Sequence, residues 1–218
     1  MTIYLHTRVR TTPLAWSSVA TTLAARFAEG GARDGETLYG IWRSQIGRPR
    51  DELTVMTTWP DGGDAAAALA QRLAGIDGVH QQSSVVLVPT LRPLDPTPPR
   101  RQGNYAFRWF TTPQANWSEF LDLCAGAWPG FESAYDSQVI GLWRATRLPG
   151  AQETSVRSLL MTRRPDLAMW ERSKIPQGGA EAEVRRKLSR RYDLCTDTVV
   201  FTTTLLTASD HADTARWT

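Results

Sequence analysis

TTPLAWS (Thr11–Ser17) and TTPQANWS (Thr111–Ser118) are nearly the same phrase, written twice in a chain of 218 residues. Three more echoes follow in the same order. GIWR (Gly40–Arg43) returns as GLWR (Gly141–Arg144), MTTWPD from Met56 returns as MTRRPD from Met161, and SVVLVPTL from Ser84 returns as TVVFTTTL from Thr198. The separation grows from 100 to 101, 105 and 114 residues and never shrinks. Echoes that keep their order while drifting apart predict a tandem repeat whose second copy has gained loop residues, where extra length costs little.

The boundary between the copies is RPLDPTPPRRQ (Arg92–Gln102), whose four prolines exclude a helix or a central strand and predict an extended connector. Residues 1–92 and 103–218 then form two units joined by a linker over 93–102, the second ending in a short polar tail.

Each unit reads as strand, helix, strand, strand, helix, strand. TIYLHTRVR alternates, with Ile3, Leu5 and Val9 on one face and Tyr4, His6 and Arg8 on the other. PLAWSSVATTLAARFAEGG carries Leu14, Val19, Leu23 and Phe27 at helical spacing and stops at Gly30-Gly31. TLYGIWRSQIG and ELTVMTTW are strand-like, DAAAALAQRLAGI is a strong helix former, and SSVVLVPTL is the last strand. The second unit repeats the order through NYAFRWFTT, NWSEFLDLCAGAW, QVIGLWRAT, TSVRSLLMTRR, a helical region ending EAEVRRKLSRRYDL, and TVVFTTTLL. This α+β pattern is the ferredoxin-like βαββαβ order, twice. A four-stranded sheet with helices on one face leaves the other bare. Two such sheets in one chain predict a pseudo-twofold barrel with helices outside and a cavity within.

The order of elements resembles the dimeric α/β-barrel superfamily in a tandem-fused form. Within it, GIWRSQIGRPRDELTVMTTWPD (Gly40–Asp61) resembles the NIPSNAP motif at Gly40, Trp42, Gly47, Trp59 and Asp61. The second copy keeps Gly141 and Trp143, but Arg164 stands where Trp59 does and the turn becomes LPGAQE. The resemblance implies a fold that hosts cofactor-independent oxygenases, isomerases, cyclases, decarboxylases and haem enzymes, so the reaction has to be read from the site.

Composition bounds the choices. Apolar residues make up 41% of the chain, enough for a core, but no apolar run is long enough to cross a bilayer. The N-terminus MTIYLHTRVR lacks a secretory h-region, and Cys124 and Cys195 carry no pairing signal, so a reduced, cytoplasmic protein is expected. The net charge of +3 rests on arginine, with lysine only at Lys174 and Lys187. A GC-rich genome produces the same bias, so charge alone does not argue for a polyanionic partner.

Strand alternation selects the candidate site. If Ile3, Leu5 and Val9 meet the helices, then Tyr4, His6 and Arg8 enter the barrel. Aligning the two TTP phrases at an offset of 100 places Asn104, Ala106 and Arg108 in the equivalent positions. Arg43 and Arg144 form a second equivalent pair. Arginine is costly to bury without an anion, so these pairs suit a carboxylate, phenolate or enolate; the alternative is that they sit at the barrel mouth, paired or solvated. His6, opposite Ala106, is the candidate general base, with Arg8 beside it; the alternative is a structural histidine. Trp42, Trp143, Trp59 and Trp109 are candidate pocket walls or simply core; Trp59 and Trp109 lack aromatic counterparts in the other copy, where Arg164 and Val9 stand, which favours them as pocket residues.

No GxSxG, HExxH, P-loop or dinucleotide fingerprint is present, and the histidines lack metal-ligand spacing. Haem needs an axial ligand, and the second unit has no histidine outside the tail, so no cofactor is expected. The sequence thus predicts a cofactor-independent small-molecule enzyme, such as a cyclase, isomerase, dehydratase or monooxygenase, acting on an anionic or enolisable substrate. The alternative is a non-catalytic binder of an anionic metabolite. Nucleic-acid association through the basic EVRRKLSRRYDL ranks third, since an outer helix needs a solvated face in any case. No membrane partner is expected. A monomer with an internal pseudo-dimer or a homodimer fits equally, and the extra length around KIPQGGAEAE (174–183) is either a lid over one barrel end or a plain loop.

Overall fold

The computed structural model describes residues 2–30, 35–60, 64–146 and 154–211; Gly31, Asp61, the LPGAQE turn and the tail after His211 lie outside the described residues. The elements run β1 (Ile3–Thr11), α1 (Trp16–Glu29), β2 (Thr37–Ile46), β3 (Glu52–Trp59), α2 (Ala65–Leu73) and β4 (Val79–Arg92). After the connector come β5 (Asn104–Pro113), α3 (Trp117–Tyr135), β6 (Gln138–Ala145), β7 (Ser155–Arg164), α4 (Leu167–Arg172), α5 (Gly179–Asp193) and β8 (Asp197–Leu205). The helix expected at NWSEFLDLCAGAW runs on through Pro129 to Tyr135, and the helical region after β7 is two helices, α4 and α5. Asp166, from the second MTRRPD echo, starts α4 by accepting a hydrogen bond from the Met169 amide at 2.7 Å.

All eight strands are antiparallel to their neighbours and close into one barrel in the order β1-β3-β2-β8-β5-β7-β6-β4. The groups β4-β1-β3-β2 and β8-β5-β7-β6 have the same arrangement and meet at two seams, β2–β8 and β4–β6. Both seams are short and contain a register shift, whereas the ladders flanking β1 and β5 are long. Closure therefore leans on side-chain packing inside the barrel more than on backbone pairing across the seams.

That packing is aromatic. Tyr4, Tyr39, Trp42, Tyr105, Phe107 and Trp143 occupy the barrel interior with Met56, Met161 and Phe201. Edge-to-face contacts link them, as between Tyr4 and Trp143 at 5.3 Å and between Trp42 and Phe107 at 5.3 Å. The cavity expected along the barrel axis is instead filled by this cluster. Val55 lies on the helix side, and Met56 takes the inner position. Two further cores lie outside: Leu5, Val9, Leu53 and Val55 under α1 and α2, and Phe110, Phe120, Leu142 and Leu160 under α3 and α5.

The repeated glycine–tryptophan phrase has a steric reason. A Cβ added at Gly40 lies 2.5 Å from the Trp42 ring, and one at Gly141 lies 2.4 Å from the Trp143 ring. Each indole folds back over its own strand into the space that the glycine leaves, which lets two tryptophans fit one barrel. Gly40→Ala or Gly141→Ala is expected to destabilise the protein by about 1–3 kcal/mol through overpacking. Chemical denaturation checks this, and an unchanged midpoint in both variants contradicts it.

Candidate functional site

The sequence-selected residues fall into two layers. Tyr4, His6 and Arg8 enter the barrel, as the alternation of β1 requires. His6 is 2% exposed, set between Phe107 (5.9 Å) and Trp109 (5.3 Å), and its Nε2 has no hydrogen-bond partner. Burial pushes its pKa down to about 3, opposed by a hydrogen bond between the ring and its own backbone and helped by the charges of Arg48, Arg8 and Arg157. Arg8 is neutralised by buried Glu52 through two hydrogen bonds, at 2.9 and 2.5 Å. Trp42 and Trp143 are fully buried barrel core.

The other candidates point outward, toward the helices. Tyr105, Phe107 and Trp109 take the inward positions of β5, so Asn104, Ala106 and Arg108 face away from the barrel. Trp109, not Arg108, occupies the place across from Arg8. Asn104 donates to the Gln45 side chain at 2.7 Å. Arg43 lies 3.9 Å over the Trp16 ring, Arg144 is turned outward by its alternation with Trp143, and Trp59 packs in the core beneath α1 and α2. The proposed inward arginine pairs therefore do not form.

What the structure brings together instead is a cleft of about 200 Å³ between the outer face of β5 and β7 and the helices α3, α4 and α5. Arg108, Arg164, Arg185 and Arg191 line it, with Lys174 at its edge. No carboxylate is among the lining residues, and none of the four arginines makes an ion pair among the described residues. Lys174 is matched by Glu171 at 2.9 Å. The walls are Trp128, Phe131, Trp170, Leu188 and Tyr192.

Stacking fixes three of the four guanidiniums. Arg164 lies 5.0 Å over Phe131, Arg108 lies 5.2 Å over Tyr192, and Arg191 lies 4.8 Å over Phe110. A guanidinium covered on its face keeps its N–H edge for hydrogen bonds. Arg164 spends one N–H on Thr162 Oγ1 at 2.9 Å, while its Nε and that of Arg191 are buried without a partner. Burial pushes the Arg164 pKa down to about 10, with the charge of Arg108 adding to it, and burial lowers Arg108 too. The Cys124 thiol lies 3.7 Å from Arg191 and is pushed up by burial, so it stays neutral and leaves that charge uncompensated.

Strand pairing explains why the cleft exists in one half only. Trp59 stands opposite Ile3, and Arg164 stands opposite Asn104. In the first half Leu5, Thr7 and Trp59 fill the layer between sheet and helices; in the second, Ala106, Arg108 and Arg164 take those places. A small residue and two arginines replace packing with a charged space. The exchange of Trp59 for Arg164, a departure from the NIPSNAP-like pattern in the second copy, falls in this cleft. The 174–183 segment begins at this cleft rather than at a barrel end: Ser173 and Lys174 line it, and Glu181 ties the segment down by accepting from Arg172 (2.7 Å), the Gln177 amide (2.7 Å) and Tyr135 (3.2 Å).

A larger hollow, about 510 Å³, opens at the barrel end beside the connector. Its lining balances three arginines, Arg92, Arg100 and Arg101, against three carboxylates, Asp95, Glu132 and Asp210, and Arg92 pairs with Glu132 at 2.7 Å, so it carries no net positive charge. The basic face of α5 is likewise spent: Arg186 and Lys187 pair with Glu183, and Arg190 pairs with Glu119. Among the described residues no three His, Cys, Asp or Glu come together as a metal site, and no helix is long and apolar enough to cross a membrane. The cleft does not fit haem. It offers no imidazole or thiolate to iron, and the Tyr192 ring already lies under Arg108 and Arg191.

In fold the chain is similar to dimeric α/β-barrel proteins. An anthrone oxidase-like protein matches with a TM-score of 0.61 at 14% identity, over 94% of this chain and 91% of its own. A candidate monooxygenase from Lactobacillus acidophilus matches at 0.58 and 10%, over 95% and 97%. A candidate chlorite dismutase matches at 0.55 and 14%, over 100% and 99%. Identities this low establish the fold and not the chemistry. No protein-family model matches the chain, and no curated protein matches it in sequence.

Proposed function

We propose that the chain is a small-molecule enzyme, working without an organic cofactor, whose substrate is an anionic, enolisable compound held in the arginine cleft. The observation that carries this reading is four guanidiniums facing one partly aromatic cleft with no carboxylate among them. Such a field stabilises negative charge as it develops. When the substrate C–H bond beside a carbonyl breaks, the proton passes to solvent at the open side of the cleft. The electron pair stays on the substrate as an enolate, hydrogen-bonded by Arg108 and Arg164. Each unit by which the site lowers the carbon acid's pKa is worth about 1.4 kcal/mol. Isomerisation, cyclisation, dehydration or reaction with dioxygen all start from that enolate, and the oxygenase names among the fold's relatives fit the last.

On this reading the second unit, 103–218, carries the site, and the first, 1–92, joined through 93–102, completes the barrel that supports it. The NIPSNAP-like residues Gly40, Trp42, Gly47 and Trp59 serve packing and turn geometry in the first unit. Cytoplasmic residence and the absence of a nucleic-acid partner belong to the same proposal.

A second reading, a non-catalytic binder of an anionic metabolite, is favoured by the lack of a carboxylate or imidazole in the cleft to take the proton. Phenylpyruvate, a one-ring enolisable carboxylate, separates the two. The enzyme should accelerate hydrogen–deuterium exchange at its C3 position, followed by NMR, and Arg108→Gln should abolish the acceleration. Binding without exchange supports the binder, and neither binding nor exchange rejects both.

A further inference from the structure

We infer that the cleft is matched to a dianion of one-ring size, in which two separate oxyanion groups sit on one aromatic body. The inference rests on the reading of this cleft as the substrate site and goes further, to the charge and size of the bound species.

The first argument is the charge. Lys174 has Glu171, whereas Arg108, Arg164, Arg185 and Arg191 have no carboxylate among the described residues. A bound monoanion leaves three of these four uncompensated in a largely desolvated space, and a second negative charge on the ligand removes much of that cost. The second argument is the donors. Arg164 Nε and Arg191 Nε are both buried and unpartnered, and they belong to different walls, β7 and α5. Two unsatisfied buried donors in one cleft call for an oxyanion at its enclosed end, which leaves Arg108 and Arg185 for a second group.

Burial grades the four arginines. Arg164 and Arg191 are almost wholly enclosed, at 7% and 3% exposure, and Arg108 and Arg185 are half-buried. One oxyanion reaches the enclosed pair and the other the outer pair. The third argument is size: a cleft of about 200 Å³ has room for one ring and its substituents. For an enolisable carboxylate this has a consequence. The carboxylate supplies one charge and the enolate the second, so the site favours the deprotonated state over the ground state.

The experiment compares benzoate with isophthalate, which differs by one added carboxylate, by isothermal titration on the intact protein; phenyl phosphate is a third probe. Isophthalate is expected to bind at least tenfold more tightly than benzoate, with a steeper loss of affinity as salt rises. Arg185→Gln, a half-buried change that leaves the fold intact, should reduce isophthalate affinity several-fold and leave benzoate nearly unchanged. A preference for isophthalate supports two separate oxyanion groups, and a preference for phenyl phosphate overturns them in favour of one doubly charged group. Equal affinities for benzoate and the two dianions overturn the inference while keeping the cleft as an anion site. Failure of all three probes to bind overturns the cleft reading itself and the inference with it.

Discussion

Replacing Arg164 with leucine is expected to make the protein more stable and to abolish anion binding. The enclosed guanidinium is held down to about 10, well below its ordinary value, mainly by burial. For a base, a lowered folded pKa means that the charged form is disfavoured in the native state. The penalty is therefore fully present below pH 10 and is relieved only as pH climbs above it toward the ordinary value of a free guanidinium. At neutral pH it amounts to about 3 kcal/mol, partly offset by the Thr162 hydrogen bond and the stacking on Phe131. Leucine removes the penalty and those contacts together, for a net gain of about 2 kcal/mol, or roughly 4–8 °C in Tm for a chain of this size. Isophthalate should raise the Tm of the native protein and leave that of the variant unmoved. A variant that melts lower yet still responds to isophthalate contradicts the assignment. Stability given up for a charged cavity is the usual mark of a working site.

The second large effect concerns His6 and acid. Its imidazole is fully enclosed, neutral, and held down to about 3 against about 6.5 in an unfolded chain. On acidification the unfolded chain takes up a proton that the folded one refuses. Its contribution is thus complete above pH 6.5 and is lost progressively as pH falls toward 3, by about 2 kcal/mol between pH 6.5 and 5. His6→Phe should remove this slope. The ring it introduces suits the neighbouring Phe107 and Trp109, and the partnerless Nε2 disappears, so the variant should be at least as stable at pH 7. Urea denaturation of both proteins from pH 7 to 4.5 isolates the histidine, because the carboxylates titrate alike in each. Parallel curves contradict the expectation. Exchange of phenylpyruvate by the variant, if retained, also separates His6 from the chemistry.

One residue of register separates the site expected from the site observed. Trp16 and Trp117 start their helices 101 residues apart, and Gly40 and Gly141 are separated by the same amount. The TTP phrases alone are 100 apart, because the turns after them are built differently: Leu14 takes φ 68° in the first, and Gln114–Asn116 form a 3-10 turn in the second. A one-residue shift in a strand moves every side chain to the opposite face. Arg108 was thereby assigned to the barrel when it belongs to the cleft, and Phe107 rather than Ala106 stands across from His6.

The sequence by itself determined the order of strands and helices, though not the division of the last helical region into α4 and α5, and the inward face of β1, because the two-residue and 3.6-residue periods are local properties of the chain. It also contained the exchange of Trp59 for Arg164. Which arginines stay uncompensated was decided only by the tertiary structure. Charge is neutralised by partners far away in the chain, as Glu52 does for Arg8 and Glu119 for Arg190, and no local pattern reveals them. Whether a barrel is hollow is likewise a sum over side chains from every strand; here folded-back indoles and stacked rings fill the centre and leave the open space outside it, under the helices of the second half.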